Sequence, residues 1–254
     1  MRPLSIFLIT KNEARLLGQV LEAVQSLSDD IVVLDSGSTD GTQDIAKEHG
    51  ARLEHRDFDG FGAQKSHAES LCKHDWILNL DGDEIVSPAT CEEIRNFLSS
   101  EDIDAIDGVR IKVVTCYPHE EQPRLWADYK NHVRLYNKTS MRFSTHPSHD
   151  VVTIEPHHQL HQLENIIHHY SFASLDALEE KKRSLTRFYF ETEKHGPLWK
   201  NVIRLPIEYP YTFFKSYILR RQMTGGMYGF KLSAMQAKYR TLRIWQRIRG
   251  KCVV

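Results

Sequence analysis

The stretch Trp76-Ile77-Leu78-Asn79-Leu80-Asp81-Gly82-Asp83-Glu84 joins an apolar run of strand length to a turn that carries three carboxylates. The apolar run predicts a buried strand over residues 76–80, and Pro88 prevents the strand from continuing far beyond it. In an open α/β sheet, ligands bind at the carboxyl ends of the strands, so Asp81 and Asp83 are expected to line a crevice. Two neighbouring carboxylates suit a hard cation such as Mg²⁺ or Mn²⁺, although Asp-Gly is also a common turn dipeptide.

Strands and helices alternate through the first 80 residues. Periodicity predicts strands over residues 4–9, 31–34, 52–55 and 76–80, and helices over residues 12–27, 42–50 and 65–72. Such alternation is typical of an α/β fold with a parallel, doubly wound sheet. The polar loops 10–13, 35–40 and 81–84 each follow a strand, so they are expected to gather at one edge of the sheet.

The pattern changes after residue 108. Short extended runs cover residues 109–115, 132–136 and 151–154, and the chain is predicted to be helical from about His168 to the end, with glycine interruptions near residue 225. We therefore predict two domains. The first is a catalytic domain over residues 1–172, with a nucleotide half of about 1–90 and an acceptor half of about 91–172. The second is a basic helical region over residues 173–254.

Charge is distributed unevenly along the chain, although the net charge is only −1. Residues 1–180 contain 16 Lys and Arg against 31 Asp and Glu, and residues 181–254 contain 17 against 3. This imbalance predicts either a polyanionic partner for the C-terminal region or packing of that region on the acidic body. Basic residues interleaved with Tyr239, Ile244 and Trp245 favour an interfacial helix on an anionic membrane. No nucleic-acid-binding motif accompanies them, so no nucleic-acid partner is expected.

The location of the protein is predicted from its cysteines and its apolar segments. Four widely spaced cysteines without a C-x-x-C pair indicate reduced thiols in the cytoplasm. The first apolar run is short, meets Lys11 and lacks a signal-peptide cleavage pattern. No segment approaches the roughly 20 apolar residues that span a bilayer, so membrane contact is expected to be peripheral.

Four segments, in this order and spacing, resemble glycosyltransferase family 2, whose members have the GT-A fold. They are residues 9–13 (Ile-Thr-Lys-Asn-Glu), residues 32–42 (Val-Val-Leu-Asp-Ser-Gly-Ser-Thr-Asp-Gly-Thr), Gln64-Lys65 and residues 80–84 (Leu-Asp-Gly-Asp-Glu). The chain is most similar to lipopolysaccharide-core β-1,4-glucosyltransferases within that family. This closer resemblance extends loosely through His149-Asp150, His168-His169-Tyr170-Ser171 and residues 225–230.

The resemblance implies a role for each matching residue. The nucleotide-sugar would be bound by Thr10, Asn12, Glu13, Asp35, Asp40, Lys65 and Asp81. Asp83 and Asp81 match the family's D-x-D motif, which holds Mn²⁺ or Mg²⁺ against the diphosphate, and His169 is a further possible metal ligand. On the residues alone, Asp35 and Asp40 could equally serve as turn and capping residues, and His169 could be a hydrogen-bonded residue in the wall of the cleft.

Inversion at the sugar carbon requires a base that takes the proton from the acceptor hydroxyl. His149-Asp150 resembles the family's His-Glu pair, so Asp150 is the predicted base, with Glu155 and Asp128 as alternatives. The reaction that the resemblance implies moves a hexose, glucose in this branch of the family, from a UDP-sugar to a heptose of the lipopolysaccharide inner core. That acceptor places the enzyme peripherally on the cytoplasmic face of the inner membrane. The competing hypotheses are a nucleotidyltransferase acting on a sugar phosphate and a non-catalytic membrane-binding module.

Overall fold

A computed structural model describes residues 1–144, 151–192 and 197–252. The chain divides into two compact units. The first unit comprises Met1–Val114 and Tyr129–His169, and the second comprises Thr115–Asp128 and Tyr170–Val254. The C-terminal part of the second unit begins at Tyr170, three residues before the predicted boundary at residue 173, and the unit also includes a segment from the middle of the chain.

The first half of the sheet in unit 1 is parallel. Its strands are β1 (Leu4–Thr10), β2 (Asp30–Asp35), β3 (Arg52–His55) and β4 (Trp76–Asp81). The connecting helices are α1 (Leu17–Val24), α2 (Thr42–Glu48) and α3 (Phe61–Leu71), and α4 (Pro88–Leu98) follows the acidic turn. β1 pairs in parallel with both β2 and β4, and β2 pairs in parallel with β3. The predicted alternation of strands and helices is therefore confirmed.

The second half of the sheet is antiparallel. It contains β5 (Glu84–Val86), β6 (Gly108–Thr115), β7 (Tyr129–Asn137) and β8 (Leu160–His169). The strand order across the sheet is β3-β2-β1-β4-β7-β6-β8-β5, and β4 pairs with β7 while β5 pairs with β8. Helices follow in the C-terminal region, so the predicted α/β fold of GT-A type, with a mixed sheet and a helical C-terminal appendage, is confirmed.

Several predicted boundaries were wrong, each for a local reason. The first helix was expected from residue 12 but begins at Leu17, because Asn12 has a left-handed φ of 57° that interrupts a helix. α3 begins at Phe61 rather than at residue 65. The extended run at residues 151–154 forms only one isolated bridge, between Val152 and Phe143. The strand β8 was not predicted from the sequence, although Leu163 and Ile167 on it are fully buried.

Asp30, at the start of β2, is a buried carboxylate held by three donors. It accepts hydrogen bonds from Ser5 Oγ at 2.6 Å, from the Lys73 N–H at 2.8 Å and from Arg52 at 2.8 Å. Burial raises its pKa, but these donors outweigh burial and lower the pKa below its usual value of 3.8. The Asp30 carboxylate therefore links β2 by hydrogen bonds to β1, to β3 and to the segment just before β4.

Asp30→Asn is expected to lower the free energy of unfolding by about 2–3 kcal/mol at pH 7, because hydrogen bonds to a charged group are lost. The folded pKa lies below the unfolded one, so this stability is present above pH 3.8 and is lost as the pH falls through the folded pKa. Urea unfolding at pH 7 and at pH 3 measures the effect, and the difference between the two proteins should be smaller at the lower pH. Asp29→Asn, at an exposed neighbour, is the control and should leave the free energy of unfolding nearly unchanged. An equal loss of unfolding free energy at both pH values would contradict a stabilising role for the ionised Asp30.

Unit 2 is helical. Its long helices are α5 (Leu175–Thr192), α6 (Leu198–Phe214) and α7 (Gly226–Arg249), with a π-helical turn at Lys215–Leu219 and a 3-10 turn at Gln222–Gly225. Gly229 allows α7 to approach the 3-10 turn, because a Cβ atom there would lie 1.8 Å from the Gln222 carbonyl oxygen. In the part of the chain that the structure describes, no helix is both long and apolar enough to cross a bilayer.

Candidate functional site

Three polar loops meet at one edge of the parallel strands. Thr10 at the end of β1 pairs with Asp35 at the end of β2, and Ile9 pairs with Asp81 at the end of β4. The ends of the three strands therefore lie side by side, as their positions after buried strands predicted. This register places the predicted nucleotide-binding residues next to the acidic turn.

Asp35 is the anchor of the loop that follows β2. Its Oδ2 accepts hydrogen bonds from the N–H groups of Gly37 and Ser38 and from Gln43 Nε2, each at 2.8 Å. Its Oδ1 accepts from the Ser38 hydroxyl and from Thr10 Oγ1. Burial raises the pKa of Asp35, but these donors outweigh it and lower the pKa. The carboxylate is thus ionised and fixes the loop; its contact with a uracil or ribose stays a prediction.

Asn12 and Asp40 join the loop after β1 to the loop after β2. The Asn12 N–H donates to Ser38 Oγ at 2.8 Å, and Asn12 Oδ1 accepts from the Thr39 N–H at 2.9 Å. Asp40 accepts from the Ala14 N–H and from the Thr42 N–H at the start of α2, both at 3.1 Å. The capping role considered for Asp40 is therefore present, and both side chains shape the rim of the site.

Gly82 allows the acidic turn to approach the first loop. A Cβ atom at this position would lie 3.0 Å from Glu13 Cγ and 3.3 Å from Thr10 Cγ2. Glu13 is itself held by its N–H, which donates to Thr42 Oγ1 at 2.8 Å. A larger residue between the two aspartates would push the turn away from the predicted nucleotide pocket.

Asp81 faces two cations. Lys65, which is fully buried, places Nζ 2.8 Å from Asp81 Oδ1, and Arg134 on β7 lies 3.3 Å from Oδ2. Burial raises the pKa of Asp81, but the positive charges of Lys65 and Arg134 outweigh burial and hold the pKa far below its ordinary value. Both Lys65 and Arg134 also donate to Asn79 Oδ1, at 3.4 and 2.9 Å. Lys65 therefore lies beside the D-x-D turn, and its contact with the nucleotide-sugar stays a prediction.

Glu84 and Arg134 form a buried ion pair that sequence reasoning did not assign. Arg134 is buried and donates to Glu84 as well as to Asp81. Burial raises the pKa of Glu84 to about 7, even though Arg134 opposes the rise. Only the pairing of β4 with β7 brings Arg134 to this turn, and no local pattern signals that pairing.

Asp83 and His169 meet across the pairing of β5 with β8. His169 is opposite Glu84 in that pairing, and its Nε2 lies 3.3 Å from Asp83 Oδ1. Burial lowers the pKa of His169, but the hydrogen bond and negative charge of Asp83 outweigh it and raise the pKa. The structure therefore brings together Asp83 and His169, two of the three predicted metal ligands, which are 86 positions apart in the chain.

A carboxylate and an imidazole fit a divalent cation that takes its remaining ligands from phosphate and water. Asp83 and His169 supply that pair. Both oxygens of Asp81 instead face cationic groups, so in this arrangement Asp81 contributes charge balance beside the pair. Among residues 1–144, 151–192 and 197–252, no cluster of three or more His, Cys, Asp or Glu side chains forms a complete protein cage for a metal.

A cavity of about 460 Å³ opens beside the acidic turn within unit 1. Asp81, Glu84 and His169 line one side of it, and β6, β7 and residues 151–154 line the rest. Its basic lining residues are Arg110, Lys130, His132 and Arg134. The cavity is large enough for a sugar ring, and its lining offers both charged and apolar contacts.

The predicted base Asp150, with His149, lies outside the described residues. The described positions on either side, Ser144 and Val151, both line the cavity. Of the two alternatives, Glu155 is exposed, and Asp128 belongs to the second unit, where its Oδ2 lies 3.9 Å from Arg220 Nε. The identity of the base stays a prediction.

Known proteins with similar sequences include glycosyltransferases from bacteria. The chain is 33% identical over 255 residues to an uncharacterized glycosyltransferase of Rickettsia bellii, an alignment that covers 96% of this chain and 85% of that protein. It is 33% identical over 105 residues to the lipopolysaccharide core biosynthesis glycosyltransferase LpsC of Rhizobium meliloti, covering 39% of this chain and 38% of LpsC.

One similar solved structure is the glucosyl-3-phosphoglycerate synthase of Mycobacterium tuberculosis, in complex with Mn²⁺, uridine diphosphate and glucosyl-3-phosphoglycerate. The match has a TM-score of 0.36 and 25% sequence identity, and it covers 46% of this chain and 44% of that one.

The model of the family described as Glycosyl transferase family 2 matches residues 5–154. That range contains β1 to β7, the three converging loops and the acidic turn. The family match and the nearly full-length relatives agree with each other. The chain therefore belongs to glycosyl transferase family 2, and it is a glycosyltransferase.

Proposed function

We propose that this glycosyltransferase moves a hexose, glucose by its sequence resemblance, from a UDP-sugar to a heptose of the lipopolysaccharide inner core, with inversion at the transferred carbon. The observation that carries the proposal is the position of the D-x-D turn. Asp81 lies beside the ends of β1 and β2 and lines the 460 Å³ cavity, and Asp83 contacts His169, which lines the same cavity. The partial similarity to LpsC supports the choice of acceptor.

The donor would bind along the loops at the ends of β1, β2 and β4. Thr10, Asn12, Glu13, Asp35 and Asp40 would form the nucleoside pocket. Lys65 and Asp81 would lie beside the diphosphate and the sugar. Asp83 and His169 would hold Mn²⁺ or Mg²⁺, which neutralises the charge that develops on the diphosphate as the sugar leaves.

The acceptor would enter the cavity from the side of β6 and β7. Arg110, Lys130 and His132 there suit the polar and anionic groups of a core sugar. Asp150 would take the proton from the acceptor hydroxyl as that oxygen attacks the sugar carbon. We further propose that the protein works on the cytoplasmic face of the inner membrane, with the basic C-terminal helices on the anionic lipid surface.

Thermal unfolding with added nucleotides tests the donor. UDP and one UDP-sugar, at about 100 times their Kd, should raise the melting temperature by roughly 5 °C or more, with Mn²⁺ present and less with EDTA. UDP-glucose, UDP-galactose and UDP-N-acetylglucosamine are compared in parallel. A shift with nucleoside triphosphates alone would favour a nucleotidyltransferase, and no shift with any nucleotide would favour a non-catalytic module.

Asp150→Asn separates donor binding, measured by the same thermal shift, from chemistry, measured by the rate of sugar transfer. The variant should keep the UDP-dependent shift and lose transfer by at least about a hundredfold, the usual contribution of a general base. Glu155→Gln is the matched control and should retain both. Transfer by Asp150→Asn within a few-fold of the unchanged protein would place the base elsewhere.

A further inference from the structure

The amphipathic character of α6 is inverted. Its buried positions are polar: Asn201 and Glu208 face the interior, and Ser216 continues that face into the π-helical turn. Its exposed positions include several large apolar side chains, and Trp199 and Ile207 are 62% and 61% exposed. Residues four apart share one face of a helix, so the side chains at positions 199, 203, 207, 211 and 214 form an outward apolar stripe. A surface helix of a globular protein normally shows the opposite arrangement.

Polar partners on α7 fix this orientation of α6. Glu208 Oε1 accepts from Arg240 Nε at 2.5 Å, and Glu208 Oε2 accepts from Arg204 at 3.0 Å. Burial raises the pKa of Glu208, but the two arginines outweigh it and lower the pKa. Ser216 Oγ bonds Ser233 Oγ at 3.0 Å. Turning the apolar stripe inward would bury it at the expense of the hydrogen-bonded ion pairs that the buried Glu208 makes with Arg240 and Arg204.

The stripe continues beyond α6. The next turns and the start of α7 expose further large apolar side chains, namely Leu219, Met223, Met227 and Phe230. Single exposed apolar residues are ordinary, but a concentration of them on neighbouring elements marks a surface that binds lipid or protein. We call these side chains, together with the outward face of α6, the apolar stripe.

A basic cavity adjoins the stripe within the same unit. It has a volume of about 350 Å³ and lies between α5, α6 and α7. Its basic lining residues are Lys182, Lys215, Arg220, Arg240 and Arg243, and among the described residues its lining includes no carboxylate. Tyr211, which is 54% exposed on α6, lines the cavity too, so the cavity reaches the edge of the stripe. Such a cavity suits the phosphate of an anionic headgroup.

We propose that unit 2 docks on an anionic bilayer, with the apolar stripe in the boundary between headgroups and acyl chains and the basic cavity around a lipid phosphate. The inference rests on the membrane association in the proposed function, and it names the element that makes the contact. Residues near the C-terminus cannot supply the whole apolar contact, because Tyr239 and Ile244 are buried.

The positive charge of the C-terminal region favours an anionic lipid surface over a second copy of the chain as the partner of the apolar stripe. Residues 181–254 contain 17 basic and 3 acidic residues, so pairing two stripes would bring two strongly positive surfaces together. An anionic leaflet attracts the same charge, with each basic residue near its surface contributing on the order of 1 kcal/mol. Trp and Tyr on the stripe are also the side chains that favour the headgroup level.

Vesicle flotation of the full chain tests the proposal. The protein should bind vesicles of phosphatidylcholine with about one third phosphatidylglycerol more strongly than phosphatidylcholine alone. The double change Ile203→Glu with Ile207→Glu should weaken binding to both at least tenfold, since it removes two apolar side chains from the lipid. Leu125→Glu, which is 74% exposed but lies outside the stripe, is the matched control and should bind normally.

A second pair of changes tests the cavity. Lys215→Gln with Arg243→Gln should lower binding to the anionic vesicles by roughly tenfold and leave binding to phosphatidylcholine unchanged. All variants should keep the melting temperature and its response to UDP with Mn²⁺, which reports the folded state and the donor site separately.

The results of these experiments show which of the proposals fails. If the unchanged protein floats with neither vesicle, the membrane association and the docking surface both fail, while the UDP response still decides the transferase proposal. If it floats and the α6 variant floats equally well, the docking surface is overturned and the membrane location stands. A dimer in light scattering that the α6 changes convert to a monomer would show that the stripe binds a second copy instead.

Discussion

Asp83→Asn is expected to lower turnover by about a thousandfold or more while the protein stays folded. Asp83 is the carboxylate of the pair with His169, at 3.3 Å, and asparagine keeps its shape but not its charge. A metal that stabilises the departing diphosphate contributes several kcal/mol, and each 1.36 kcal/mol is a factor of ten in rate. Transfer rates over a series of Mn²⁺ concentrations measure the loss, together with the melting temperature.

The control for this change is Asp102→Asn, because Asp102 is an exposed carboxylate of the same domain. It should keep the normal rate and the normal dependence on Mn²⁺. A rate for Asp83→Asn within tenfold of the unchanged protein, with no greater need for Mn²⁺, would rule out a metal-binding role for Asp83.

Arg134→Met is expected to lower the free energy of unfolding by about 3–5 kcal/mol at neutral pH. Arg134 donates to Asn79, Asp81 and Glu84, and Glu84 is almost completely buried. Methionine fills much of the same space, but it leaves Asn79 and Asp81 without one of their donors and obliges the buried Glu84, whose pKa is already raised to about 7, to take up a proton. Losing these contacts costs more than an exposed pair is worth. Urea unfolding followed by circular dichroism measures the change.

Arg2→Met serves as the control because it removes an exposed ion pair, Arg2 with Asp104 at 2.6 Å. Its cost should stay below about 1 kcal/mol. If Arg134→Met costs no more than Arg2→Met, the pair of Arg134 with Glu84 contributes little to stability. Arg134 would then have to be explained by contacts with substrate in the cavity.

The nucleotide half of the fold could be predicted from sequence because its signals are local. Each parallel strand is a short apolar run, and each functional loop comes directly after such a run. Asp35 and Asp81, for example, lie at the ends of β2 and β4. Parallel strands that are joined through helices have their carboxyl ends at one edge of the sheet. The order of the segments was therefore enough to predict that the loops meet there. The helix boundaries failed where one residue, such as Asn12 with its positive φ, interrupts a favourable pattern.

The sequence by itself determined the α/β class, the family and the acidic turn, because local periodicity and short motifs carry that information. Tertiary structure decided the partners of the turn. Arg134 and His169 reach it only through the pairing of β4 with β7 and of β5 with β8, which depends on contacts between distant segments. It also decided the outward direction of the apolar stripe on α6. Periodicity defines the two faces of a helix, but the pairing of the buried Glu208 with Arg240 determines which face is turned inward.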